Sequence, residues 1–222
     1  MCGRFSFVVD KKKVQKALRS VILDKPFVSN YNIAPTQKAY IVTNNEPHAL
    51  QEVAWGLIPA WSKDGKNSGA LINARMETLL EKPSFKEPFQ HKRCIVLADS
   101  FYEWRTLGRT KIPYRIMPKN ETDLLIFAGI WDEWRGQKSF SIITTEPNAE
   151  MSVLHTRMPV ILRGYADYGK WLGDTDITEL YTMCAKPPDN LLKTYRVSDK
   201  INSVKYSASN VHREVPEDLT LF

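Results

Sequence analysis

Cysteine is scarce in this chain, and its placement excludes more than it suggests. Three cysteines stand in 222 residues, at Cys2, Cys94 and Cys184. An odd number so widely spaced fits neither a disulfide framework nor a zinc site, and points to a reduced, cytoplasmic setting. No apolar run approaches about 18 residues, so no membrane-spanning helix is expected. The opening Met1-Cys2-Gly3-Arg4 lacks the apolar core of a secretory signal, and Lys11, Lys12 and Lys13 follow closely. There is no nucleotide-binding glycine loop and no metal-ligand constellation, so no cofactor is expected. Internal repeats, low-complexity tracts and linkers are missing as well. One domain spanning 1–222, monomeric, is the expectation these absences leave.

What is present is a modest excess of positive charge. Lysine and arginine number 31 against 25 acidic residues, a formal net charge of +6. Such a balance favours an anionic partner such as nucleic acid, because basic surfaces attract phosphate at long range. The basic clusters Lys11–Lys13 and His91-Lys92-Arg93 read as solvated faces. Thirteen prolines are scattered along the chain, as in a loop-rich fold with short elements. Asp10 reads as the N-cap of a helix over 11–22, with Val14, Leu18 and Val21 at helical spacing. Strands are expected at 39–43, 51–55, 93–98, 113–117, 124–130, 139–144 and 158–162, and helices near 150–154, 166–172 and 177–183. The fold class is α+β: a β-rich domain whose strongly curved sheet or partial barrel is flanked by helices. Cys94 lies in the apolar run Cys94-Ile95-Val96-Leu97-Ala98 and reads as inert core.

Cys2 is different. Methionine aminopeptidases generally remove Met1 when a small residue follows, and cysteine qualifies. The product carries an α-amine and a thiol on adjacent carbons, with ordinary pKa values of about 7.7–8.0 and about 8.5. A useful fraction of each is then nucleophilic near neutrality. Such a 1,2-aminothiol condenses with an aldehyde to an imine, and the thiol closes a five-membered thiazolidine. An internal cysteine cannot do this, because its nitrogen is locked in an amide. These four residues alone are equally consistent with an ordinary cysteine near a chain end.

Further motifs follow in order: Asn32-Ile33-Ala34-Pro35-Thr36, Trp55-Gly56-Leu57-Ile58-Pro59-Ala60-Trp61, Asn73-Ala74-Arg75-Met76-Glu77-Thr78, Asp99-Ser100-Phe101-Tyr102-Glu103-Trp104 and Leu154-His155-Thr156-Arg157-Met158-Pro159. With the Met-Cys-Gly-Arg-Phe start, the set closely resembles the SRAP (SOS response-associated peptidase) family, whose members sense and shield abasic sites in DNA. The likeness extends to Val197-Ser198 and Asn202-Ser203-Val204-Lys205. It implies that Cys2 crosslinks to the open-chain aldehyde of an abasic deoxyribose in single-stranded DNA. It implies further that Asn73 holds the sugar, that Glu103 is a general acid/base, and that His155 is a second proton-transfer group linked to reversal. Arg4 and Arg75 would bind phosphates on either side of the lesion. Arg157 is a further candidate for phosphate, Trp61 and Trp104 for stacking or wedging, and Pro35 for the floor of the same path.

The chemistry agrees with those roles. Imine formation needs a deprotonated amine and a protonated departing hydroxyl, so an acid/base group must be close. Taken singly, Glu103 reads as a surface carboxylate in an alternating strand, His155 as a structural histidine and Asn73 as a turn former. Two departures from the family pattern bear on DNA contact: Ser62 follows Trp61 where an aromatic is common, and Ser84 precedes Phe85 where a basic residue is common. Three rivals remain at this point. An N-terminal-nucleophile amidotransferase would use the same Cys-Gly start, a thiol peptidase acting mainly on its own N-terminus would use Cys2, Glu103 and His155, and a plain single-strand binding module would hold DNA by charge and stacking alone.

Overall fold

The computed structural model describes residues 2–23, 26–66, 71–121 and 123–216. The chain opens with β1 (Phe5–Phe7) and α1 (Lys11–Ala17), then β2 (Asn30–Ile33), the hairpin β3 (Lys38–Thr43) and β4 (Glu46–Trp55), and the short β5 (Asn73–Arg75). Helix α2 (Pro83–His91) leads into β6 (Arg93–Ala98), β7 (Ser100–Leu107), β8 (Thr110–Pro118), β9 (Leu125–Trp134) and β10 (Gln137–Thr145). After α3 (Ala149–Ser152) come β11 (Met158–Pro159), β12 (Ile161–Leu162), α4 (Gly164–Leu172), α5 (Ile177–Met183) and β13 (Leu192–Arg196).

Five strands close on themselves. β10 pairs with β4 in parallel, and β4–β3, β3–β6, β6–β9 and β9–β10 pair antiparallel, which completes a barrel. Every residue of β6 is buried, since helices pack against its outer side; the strand therefore reads as a continuous apolar run. Closure requires a close approach at Gly129, where a Cβ would stand 2.8 Å from Cys94 Sγ and 3.0 Å from the Ser141 carbonyl. Only glycine fits there. A second sheet, in the order β13-β8-β7-β1-β2, lies beside the barrel. The two are joined by aromatics: Phe5 of β1 meets Trp55 at 4.9 Å and Phe127 at 6.2 Å, and Phe101 of β7 meets Phe127 at 5.9 Å. This is the α+β, β-rich fold expected, with the curved sheet closed rather than partial.

Several elements differ from the pattern reading. Asp10 does cap α1, accepting from the Lys13 amide at 2.7 Å, but the helix stops at Ala17. Leu18 and Val21 remain buried, held by a turn that frees Ile22 to donate to the His48 carbonyl at 2.8 Å. The expected strand at 158–162 breaks at Val160 because its two ends serve different partners: Met158–Pro159 pairs with β10, and Ile161–Leu162 with β9. The cluster His91-Lys92-Arg93 is not a solvated face. Arg93 is buried, and its guanidinium donates to the carbonyls of Phe89 (3.3 Å), Gln90 (2.5 Å), Trp171 (2.8 Å) and Gly173 (2.8 Å). One side chain thus satisfies the C-terminal carbonyls of both α2 and α4. Lys92 pairs with buried Asp132 at 2.8 Å. Cys94 is core, as expected, and burial pushes its thiol up. Among the described residues no helix is long and apolar enough to cross a membrane.

Candidate active site

The site grows out of the anchoring of β1. Phe5 is wholly buried between the sheets and pairs with Ile33 of β2 and Phe101 of β7. Three residues earlier, Cys2 is wholly buried too. Its carbonyl accepts a hydrogen bond from Asn73 Nδ2 at 2.9 Å, and its Sγ lies 3.9 Å from the Arg4 carbonyl. Asn73 stands opposite Ile142 in the parallel pairing of β5 with β10. Strand alternation turns Ala74 into the core and leaves Asn73 and Arg75 on the other side, and Arg75 is exposed. With Nδ2 tethering Cys2, Asn73 Oδ1 is buried without a hydrogen-bond partner.

Glu103 comes from β7, opposite Tyr114 of β8. It is buried, 3% exposed, so the surface-carboxylate reading fails. Burial first, and the Glu103 charge second, push the Cys2 thiol far above its ordinary range. A carboxylate that raises a neighbour's pKa must sit close to it. Glu103 and His155 line one cleft of about 550 Å³, together with Trp104, Thr106, Lys111 and Asn202. His155 follows α3, its amide bonded to the Met151 carbonyl at 2.8 Å. Its Nδ1 accepts the Arg157 amide at 3.0 Å, which assigns the neutral ring's proton to Nε2. Cys2, Asn73, Glu103 and His155 are therefore brought together from four separate segments: the stretch before β1, β5, β7 and the loop after α3.

The six residues expected to contact DNA fall into two groups. Trp61 is 65% exposed on a pinned turn: the Ala60 amide donates to Asp132 at 2.7 Å, the Ser62 amide to the Pro59 carbonyl at 2.9 Å, and Trp134 Nε1 to the Ser62 carbonyl at 2.8 Å. With Arg75 it forms the open group. The others are committed. Arg4 Nη1 donates to Asn32 Oδ1 and to the Ile201 carbonyl, both at 2.7 Å, and its guanidinium lies 5.9 Å from the Trp104 ring centre. Trp104 Nε1 donates to Asn202 Oδ1 at 2.8 Å. Arg157 grips Glu77 with both Nη atoms, at 2.5 and 2.9 Å, and the Thr144 carbonyl at 2.6 Å. That fork holds the Glu77 carboxyl below its usual range. Pro35 is half-buried in a tight turn beside Thr36, whose φ of 74° is left-handed and whose amide donates to the Trp55 carbonyl at 2.8 Å.

Sequence reasoning missed the support behind these groups. Asn32 is wholly buried; besides accepting from Arg4, its Nδ2 donates to the carbonyls of Ser203 (3.0 Å) and Tyr206 (2.8 Å). It therefore ties the segment carrying Asn202 to the cleft wall. Asp99, Arg115, Ser6 and Ser100 form a buried polar network, with Arg115 Nη2 donating to Asp99 at 2.8 Å. Asn32, Asp99 and Asn202 all lie within the quoted motifs, a signal that polar residues there are structural as well as chemical. Thr106 and Lys111, facing each other across the β7–β8 hairpin, carry no such signal. Among the described residues, no group of three His, Cys, Asp or Glu is placed to hold a metal ion.

A closed barrel with a second sheet, a buried Cys2 tethered by Asn73, and a carboxylate and an imidazole sharing the adjoining cleft define a class of protein. The chain belongs to the SRAP family, SOS response associated peptidase, whose model matches residues 1–204. Among its relatives, the abasic site processing protein YoqW of Bacillus subtilis is 39% identical over 216 residues, covering 92% of this chain and 96% of that protein. The abasic site processing protein HMCES of Gallus gallus is 34% identical over 189 residues, covering 73% of this chain and 56% of its own. A crystal structure of a Bacteroides thetaiotaomicron protein is similar over 96% of this chain and all of its own, with a TM-score of 0.85 and 29% identity.

Proposed function

We propose that this protein captures abasic sites in single-stranded DNA, forming a thiazolidine between the mature N-terminal Cys2 and the ring-opened deoxyribose. The arrangement of Cys2, tethered through its own carbonyl by Asn73 and flanked by the Glu103 carboxyl, carries this reading. Once Met1 is gone, the Cys2 α-amine adds to the sugar aldehyde to give a carbinolamine. Loss of its hydroxyl as water, protonated by the buried carboxyl of Glu103, leaves an imine, with His155 as the second proton-transfer group of the cleft. The Cys2 sulfur then bonds to the imine carbon, and its proton passes to the imine nitrogen, so one water is released overall. Burial keeps the thiol protonated, and a neighbouring carboxylate is the base that ring closure needs. The unpartnered Asn73 Oδ1 is an acceptor for a sugar hydroxyl. Exposed Trp61 and Arg75 supply a stacking surface and a phosphate contact.

A general thiol peptidase is the weaker reading. Its nucleophile is a thiolate, and both burial and Glu103 act against one at Cys2.

Incubation with an oligonucleotide carrying one abasic site tests the proposal. The expected result is an adduct that survives denaturing electrophoresis and is lost completely in Cys2→Ala. Intact mass of the active protein should lack Met1. A complex that dissolves in denaturant, or activity in material that retains Met1, overturns the reading.

A further inference from the structure

A second cavity lies at the opposite end of β8 from the cleft. The strand runs from Lys111, in the cleft wall, to Pro118, in the wall of this cavity. Seven residues of strand separate the two by about 23 Å. The cavity holds about 510 Å³. Its floor is aliphatic, built from Leu124, Leu125, Ile161, Leu162 and Leu192, and Tyr165 stands at its lip, 48% exposed. Its rim is basic: Lys13, Lys16, Arg19, Lys119 and Arg163 face one carboxylate, Asp123. Four of those cations, Lys16, Arg19, Lys119 and Arg163, are exposed.

The two halves of this lining make different demands. The floor is mostly aliphatic. Of the two lining tyrosines Tyr168 is buried and Tyr165 alone is exposed, at the lip. A strand would find one ring there rather than a run of flat surfaces on which successive bases stack. The floor suits leucine, isoleucine or phenylalanine side chains, which exchange water for apolar contact. The rim suits carboxylates, which draw a partner in over long range and fix its register. A ligand that meets both demands alternates acid and apolar groups, as short linear segments of proteins do. We propose that this cavity docks an acidic peptide segment of a partner protein bearing leucine or phenylalanine side chains. Its separation from the cleft allows a partner and a DNA strand to be held at once.

Fluorescence anisotropy with a labelled octapeptide alternating aspartate and leucine tests this on the full chain. The expected Kd is about 100 µM or tighter. Charge reversal at two exposed positions, Lys16→Glu with Lys119→Glu, should weaken binding at least about tenfold while thermal midpoint and adduct formation on abasic DNA stay unchanged. Peptides with lysine for aspartate, or serine for leucine, should not bind. Failure of the first peptide to bind, equal binding by the charge-reversed variant, or displacement of the peptide by oligo-dT would each overturn the proposal; the last would make the cavity a nucleic-acid surface. Residues 217–222, Glu-Asp-Leu-Thr-Leu-Phe, lie outside the described residues and have similar chemistry. If Leu219→Ser with Phe222→Ser raises peptide affinity about tenfold, the occupant is this chain's own segment and the partner reading fails. Adduct formation is read separately in every arm, so it stands or falls without the cavity.

Discussion

The floor of the candidate active site and its rim are built on opposite principles. On the floor, Cys2 and Glu103 are buried and Asn73 is tethered. On the rim, Trp61 and Arg75 face solvent, and Trp61 owes its position to bonds made by its neighbours rather than by itself. Bond-making benefits from groups fixed in a dry setting, where charges act strongly. Gathering a flexible strand benefits from reachable surface, where contacts to backbone and base faces are indifferent to sequence. Floor substitutions should therefore change rate, and rim substitutions affinity.

The sharpest way to break that division is Glu103→Gln. With the fold intact, adduct formation at saturating DNA should slow by about 10²–10⁴-fold with affinity for undamaged single strands unchanged. An unaltered rate removes Glu103 from proton transfer. Asn73→Ala removes the tether on the Cys2 carbonyl, and single-turnover kinetics should show a loss of up to about 100-fold from misplacement of the nucleophile. On the rim, Trp61→Ala should weaken binding to undamaged strands by about 1–3 kcal/mol and leave the saturated rate alone. Arg75→Ala should make the salt dependence of binding shallower by about 0.7 in log–log slope. A slowed saturated rate in either rim variant would erase the distinction.

The smallest effect concerns the wall behind the floor. His212 Nε2 is buried without a partner, and burial, helped by the Arg115 charge, pushes its pKa down to about 4 from an ordinary 6.5. The unfolded chain therefore binds a proton below pH 6.5 that the folded chain refuses until about pH 4. Stability falls as pH drops through that window, by roughly 2–3 kcal/mol at its acid end. His212→Gln should flatten that part of the denaturation profile, read by urea midpoints between pH 7 and 4.

Much of this was legible in the sequence, for identifiable reasons. β3, β4, β6 and β9 advertise themselves through apolar runs and alternation, and Asp10 through its capping chemistry. β1, β2, β5 and β13 do not, because three to five residues are too few to show a period; β7 enters only as the strand carrying Glu103. Helix α2 carries Pro88 inside it, which reads as a breaker. Residues of the motifs are visible because chemistry restricts them, whereas Lys111 reaches the cleft only through the register of a hairpin. The committed state of Arg157 was hidden for a related reason: Glu77, eighty residues away in the chain, becomes its partner only in the fold.

Burial of Cys2 also sets a timetable. On the proposed chemistry an enzyme that trims Met1 needs Cys2 in reach, yet the folded protein encloses Cys2, and Arg4 is fastened to the carbonyl of Ile201, 197 residues further along the chain. Translation at about 5–20 residues per second leaves roughly 10–40 seconds before that latch can close. On the proposed chemistry trimming belongs to that interval, and a chain that folded untrimmed would lock the proposed nucleophile away as an ordinary amide.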